Sequence, residues 1–173
     1  MRKKTSLAIL IVTSLMSGSI NAAHHVPKPS PNGIKFPAGY QDWAVISMSH
    51  RVDNKTVRVI YGNDKAIKAA RAGKTNPWPN GAILGKVVWK EKEAEDWKTA
   101  IVPGKFVHAE FMFKDSKKYA KTGGWGWARW KGLDQKPYGK DANVAQECVA
   151  CHTPVKSKDW VFTEPASLPK LHK

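Results

Sequence analysis

Cysteine is nearly absent from this chain of 173 residues: only Cys148 and Cys151 are present. A framework of several disulfides is thereby excluded. So is the common kind of zinc site, which calls for a second Cys or His pair at ligand spacing. Acidic residues are scarce as well, 14 against 29 Lys and Arg, for a formal charge of +15. Long apolar runs are missing, because the one candidate, residues 7–15, falls short of the roughly 20 residues that a membrane-spanning helix requires. The 13 Gly and 11 Pro are dispersed, which excludes collagen-like and low-complexity chains. What remains is 42% hydrophobic, enough for the core of one domain.

The start of the chain has a basic head (Arg2, Lys3, Lys4), the short apolar run, and a small-residue end at Asn21, Ala22 and Ala23. Residues 1–23 are expected to be a cleaved secretory signal peptide, with a membrane anchor as the alternative. The mature protein is then soluble and periplasmic, with no membrane span after cleavage and no nucleic acid partner. Its basic surface suits acidic partners or anionic cofactors, or is simply a hydrated exterior.

Both cysteines fall in one motif, Cys148-Val149-Ala150-Cys151-His152. This spacing is that of covalent haem c attachment, in which two thiols add to the two vinyl groups and the next imidazole becomes the axial ligand. Cys148 and Cys151 are the cofactor-binding candidates and His152 the metal ligand, for a single covalently bound haem c. A thioredoxin-like redox pair is disfavoured because the preceding residues 141–147 look helical rather than strand-like. A disulfide over so small a loop gains little. No methionine follows His152, and only Met48 and Met112 remain after export. A vacant sixth iron position is expected, although either methionine would be a ligand if it reached the iron.

Residues 24–35 form a Pro-rich, flexible segment without regular structure. Strands are expected over residues 43–49, 56–61, 82–90, 106–114 and 126–131, the first two joined as a hairpin through Asn54-Lys55. Asn63 is the expected cap of a helix over residues 64–72 that stops at Gly73. Residues 75–81 form a turn, 91–96 a charged connection, and 134–140 a loop to the haem-binding helix. Asp115 or Ser116 would cap a short helix ending near Gly123. These elements define an α+β fold, mainly an antiparallel sheet with a few short helices packed on it, and argue against a four-helix bundle.

Alternation along the strands puts Lys86 beside Leu84 and Val88 on one face. A lysine between apolar neighbours is costly unless it is neutral, paired or chemically used. On a second strand His108, Glu110 and Met112 share a face, opposite Val107, Phe111 and Phe113. Periodicity alone favours Lys86 snorkelling from an edge strand and Glu110 facing water. His50 and His108 read as structural residues, with haem-pocket bases as the alternative, and Trp89, Trp125, Trp127 and Trp130 as core or haem wall.

Four ordered segments carry a family resemblance: Thr56-Val57-Arg58-Val59-Ile60-Tyr61; Asn80-Gly81-Ala82-Ile83-Leu84-Gly85-Lys86; Ala109-Glu110-Phe111-Met112-Phe113-Lys114-Asp115-Ser116; and the Cys148 motif with Val161-Phe162-Thr163 beyond it. Over about residues 36–165 the chain resembles the cytochrome P-460 family, mono-haem c-type proteins whose haem is also bonded to a lysine. The resemblance makes residues 36–173 a haem domain of that kind. It implies Lys86 as the residue bonded to the porphyrin, Glu110 as the distal acid, Arg58 as the distal cation and His152 as the axial ligand. It further implies a homodimer, a five-coordinate resting iron, and oxidation of hydroxylamine toward nitrous oxide with nitric oxide as a participant. Electrons would pass to an acceptor cytochrome. The beta-type cytochromes c-prime are similar but lack the lysine bond and bind nitric oxide in a phenylalanine-lined pocket, so a non-catalytic nitric-oxide-binding or electron-transfer role is the alternative. The chain departs from the family at Gly85, where a bulkier residue would be expected to hold Lys86 more firmly.

Overall fold

A computed structural model of the chain describes residues 26–169. The expected signal peptide lies outside the described residues.

Six antiparallel strands follow one another across a single sheet in chain order. They are β1 (Ala44–Arg51), β2 (Thr56–Gly62), β3 (Ile83–Glu93), β4 (Ile101–Lys114), β5 (Trp125–Lys131) and the two-residue β6 (Lys136–Pro137). Two helices accompany them, α1 (Asp64–Arg71) between β2 and β3, and α2 (Ala145–His152) after β6. The architecture is the expected α+β one, dominated by the sheet.

Local chemistry explains the elements. The Asn63 side chain accepts the Ala66 amide at 3.0 Å and the Ile83 amide at 3.1 Å, so one residue caps α1 and ties it to the start of β3. Ala66, Ile67 and Ala69 turn inward from α1, while Lys68 and Arg71 occupy its last turn, where positive charge suits the helix dipole. Between β1 and β2, Lys55 takes the left-handed conformation (φ 53°) that closes the hairpin.

Apolar side chains cover both faces of the sheet. On one, Ile46, Ile60, Leu84 and Trp127 pack with α1, Trp78, Trp125 and Val161. On the other, Val87, Ala109, Phe111, Ala128 and Trp130 meet Ile34 and Tyr40. Residues 26–39 contain no helix or strand and run over this second face, where Trp130 Nε1 donates to the Lys28 carbonyl and Asn32 Nδ2 to the Trp127 carbonyl.

Three boundaries differ from the sequence reading. Glu91, Lys92 and Glu93 belong to β3 and pair with Pro103, Val102 and Ile101, so the charged connection is shorter than expected. Pro103 and Gly104 are tolerated because the register is already irregular between Trp89 and Glu91. After β4 the expected helix is only a 3-10 turn at Ala120–Thr122; Asp115 Oδ1 does cap, accepting the Lys117 and Lys118 amides, but Gly123 and Gly124 then take positive φ. The loop over residues 134–140 contributes β6.

Gly85 is also explained. A Cβ there would lie 2.7 Å from Phe111 Cε1, so the aromatic ring occupies the space that a larger residue would need. Bulk at this position would displace the strand rather than steady Lys86.

Candidate functional site

The cross-strand register puts Ser47, Ile60, Lys86, Glu110 and Arg129 in one row, each opposite the next. Directly paired residues share a face of the sheet. The adjoining row holds Ser49, Arg58, Val88, His108 and Lys131. Over these rows lies a cavity of about 700 Å³, whose opposite wall is formed by α2 and residues 161–164. Cys148, Cys151 and His152 all line it, as do Lys86, Glu110 and Arg58. Every site residue expected from the sequence therefore borders one space.

Glu110 is the centre of charge. Its carboxylate forms ion pairs with Lys86 Nζ and Arg129 Nε, and His108 Nε2 lies 3.2 Å from Oε1. Burial by itself would raise the pKa of this carboxyl, but Lys86, Arg129 and His108 together outweigh it and hold it at about 2. The His108 imidazole is pushed the other way from its ordinary 6.5, to about 4, by burial first, with Glu110 opposing and the surrounding cations assisting. At neutral pH the site thus contains an ionised carboxylate beside a neutral imidazole.

His152 ends α2, with its ring between those of Trp127 and Phe162, at centroid separations of 4.7 and 5.0 Å. Its Nδ1 is 2.7 Å from the Trp160 carbonyl oxygen. A carbonyl can only accept, so Nδ1 carries the proton and the neutral ring keeps a lone pair on Nε2, the form an iron ligand needs. Burial lowers the His152 pKa, ahead of the Trp160 hydrogen bond that opposes it, and so favours this neutral form. Cys148 and Cys151 do not pair with each other; burial pushes the Cys148 thiol up to about 11, while Cys151 is exposed.

The donor set fits haem. Ile60, Leu84, Met112 and Trp127 give the cavity apolar walls for a macrocycle, and Arg58 offers a guanidinium group to its carboxylates, while Arg51 and Arg129 on the same wall are paired with Asp53 and Glu110. Two thiols and a ligand-competent imidazole border the same space. Among the described residues no cluster of three His, Cys, Asp or Glu side chains could hold a bare metal ion.

Three positions differ from the sequence reading. The guanidinium that pairs with Glu110 is that of Arg129, while Arg58 directs its Nε to Thr56 Oγ1 at 3.2 Å. Arg129 was missed because only the β4–β5 register brings it opposite Glu110. His108 borders the cavity beside Glu110, and its i, i+2 spacing from that residue was the available signal. His50, in contrast, pairs with Glu91 at 2.6 Å near the surface and keeps its structural reading. Met48 and Met112 both line the cavity, Met48 at an exposed position.

A sheet face closed over by a histidine-bearing helix, with apolar walls and arginines, defines a haem-binding cytochrome. Comparison with protein families agrees: residues 37–163 match the family described as Cytochrome P460. The chain belongs to the cytochrome P460 family, and its cofactor is haem. No curated protein matches the chain.

Proposed function

We propose that the chain is an exported, mono-haem c-type cytochrome that oxidises hydroxylamine, with nitric oxide as a related ligand. The observation that carries this reading is the cross-strand pair Lys86 and Glu110, set on the wall of the cavity that also holds Cys148, Cys151 and His152. Cys148 and Cys151 would hold the haem through thioether bonds, His152 Nε2 would be the axial ligand, and Lys86 would bond to the porphyrin edge. When bound, the haem supplies an iron centre that takes electrons from a coordinated nitrogen compound. Two hydroxylamines give one nitrous oxide and one water, releasing four protons and four electrons. The electrons leave to an acceptor cytochrome.

The protons are the concern of the side chains. Glu110, ionised and on the cavity wall, accepts them as general base. Linking Lys86 to the ring would release three protons from the ammonium and the ring C–H bond and two electrons to the acceptor; it would remove the first of the cations that hold the Glu110 carboxyl low, and so move it toward the range where a base works best. Arg129 keeps the carboxylate oriented. Arg58 would meet the haem carboxylates, since Arg51 is already paired with Asp53. The protein works in the periplasm as a homodimer.

The deciding experiment combines the ferrous absorption spectrum with hydroxylamine-dependent reduction of an electron acceptor. A lysine-bonded haem absorbs far to the red of ordinary haem c, and turnover should accompany that spectrum. An ordinary c-type spectrum with nitric oxide binding and no turnover would instead support the second reading, a beta-type cytochrome c-prime. One observation favours that second reading: Lys86 Nζ is engaged by Glu110, and an engaged lysine is not a nucleophile.

A further inference from the structure

Outside the cavity, one buried ion pair has no part in the chemistry described so far. Lys114 Nζ lies 2.6 Å from Asp159 Oδ1, and the two side chains are only 6% and 9% exposed. Desolvating two charges is expensive, and such a pair is weak evidence for stability alone. Its partners point elsewhere.

Asp159 is held on every polar atom it offers. Its Oδ2 accepts the Trp78 amide at 2.8 Å, and its carbonyl accepts Trp125 Nε1 at 2.8 Å. The Lys114 ammonium also sits 4.9 Å from the Trp125 ring centroid. Close by in the chain, Asn76 Nδ2 donates to the Ser157 carbonyl. The backbone at this point is unusual, because Asp159 (φ 51°) and Trp160 (φ 65°) are consecutive residues in the left-handed region and neither is glycine. Asp tolerates that conformation, but a residue as bulky as Trp160 adopts it only where its surroundings impose it. The outcome of the two left-handed residues is the direction of the Trp160 carbonyl, which receives His152 Nδ1 at 2.7 Å. Gly123 makes room for the Trp160 indole, since a Cβ there would collide with its ring.

We propose that Lys114 and Asp159 are positioning residues for the axial imidazole: the buried pair fixes the left-handed Asp159-Trp160 step whose carbonyl orients and polarises His152. A hydrogen bond at Nδ1 enriches the ring in electron density and so makes Nε2 a stronger donor. A stronger donor favours the oxidised iron. The pair therefore lowers the reduction potential of the haem from the far side of the ligand, without touching the cofactor. This inference rests on His152 as the axial ligand and not on hydroxylamine as the substrate, so it can fail while that reading stands, and the reverse.

The test uses the haem-loaded protein and reads the reduction potential and the NMR resonance of the His152 Nδ1 proton. Lys114→Met combined with Asp159→Asn removes both charges and leaves neither uncompensated. At a fixed ambient potential its ratio of reduced to oxidised haem should rise about tenfold, equivalent to about 59 mV for a one-electron couple. The Nδ1 proton resonance should shift with it. Asp159→Glu, which keeps the charge but moves the carboxylate, should give the same changes at smaller size and serves if the double variant does not fold. Val87→Ala, a cavity in the core on the opposite face of the sheet, is the control: it should lower the thermal midpoint and leave the potential alone. An unchanged potential and resonance in either folded pair variant would overturn the proposal, as would an equal shift in Val87→Ala. Failure of both pair variants to load haem, with Val87→Ala loading normally, would also count against it, since the pair would then be a requirement for folding.

Discussion

Glu110 and His108 stand on the same face of β4 with their carboxylate and imidazole 3.2 Å apart, and the cavity reaches both. The carboxylate is held ionised and the imidazole neutral, so each keeps a lone pair able to take up a proton on the cavity wall. Two side chains that could pass a proton between them are more useful than one, because the first is regenerated at each step.

Glu110→Gln keeps the shape and removes the base. Hydroxylamine oxidation should fall by about 100-fold or more, within the range that general bases contribute. Steady-state kinetics on the haem-loaded variant checks this; a turnover number close to the parent's would remove Glu110 from the mechanism.

Stability should fall with acidity in two stages. His108 has its folded pKa depressed from 6.5 to about 4, so between those values the unfolded chain binds a proton that the folded one refuses. Its contribution is complete above pH 6.5 and is lost as pH falls toward 4. Glu110 is depressed from 4.5 to about 2, so its contribution is present above pH 4.5 and disappears between 4.5 and 2. Thermal midpoints recorded from pH 7 to pH 3 should show both stages, and His108→Gln should flatten the upper one.

Lys86→Ala should return the ferrous spectrum to that of ordinary haem c while both thioether bonds persist, as intact mass will show. If the variant's spectrum matches the parent's, Lys86 is not the residue bonded to the ring.

Gly85→Ala should destabilise the protein by about 1–3 kcal/mol, the usual consequence of forcing an extra methyl into a packed core. The new Cβ meets Phe111 at 2.7 Å, and β3 must shift to relieve it. Because Lys86 is the next residue, yield of the red-shifted chromophore should drop together with the denaturation midpoint.

Much of the frame was legible in the chain because its signals are local. Asn63 ahead of an amphipathic run announces α1, alternation announces β1 to β5, and the Cys148 motif announces the cofactor. What sequence could not supply is register. Arg129 reads as one more charge on an aromatic strand until β5 is laid against β4 and puts it opposite Glu110. The same holds for Lys114 and Asp159, 45 positions apart in sequence and in contact at 2.6 Å. The extension of β3 and β4 was hidden for a different reason, since Pro103 and Gly104 carry the marks of a turn and are accommodated only because the pairing there is irregular.

The margins of the sheet have their own consequence. At one side β6 is two residues long and ends in Pro137, which has no amide proton to offer a newcomer. At the other, β1 is broken by an irregularity between Val45 and Ser47, and the Ile46 carbonyl is already taken by the amide of Ala166. Neither border invites a further strand. Fibril growth by edge-to-edge addition is discouraged at both ends, which suits a polypeptide that must stay separate from its own copies until it holds its tetrapyrrole.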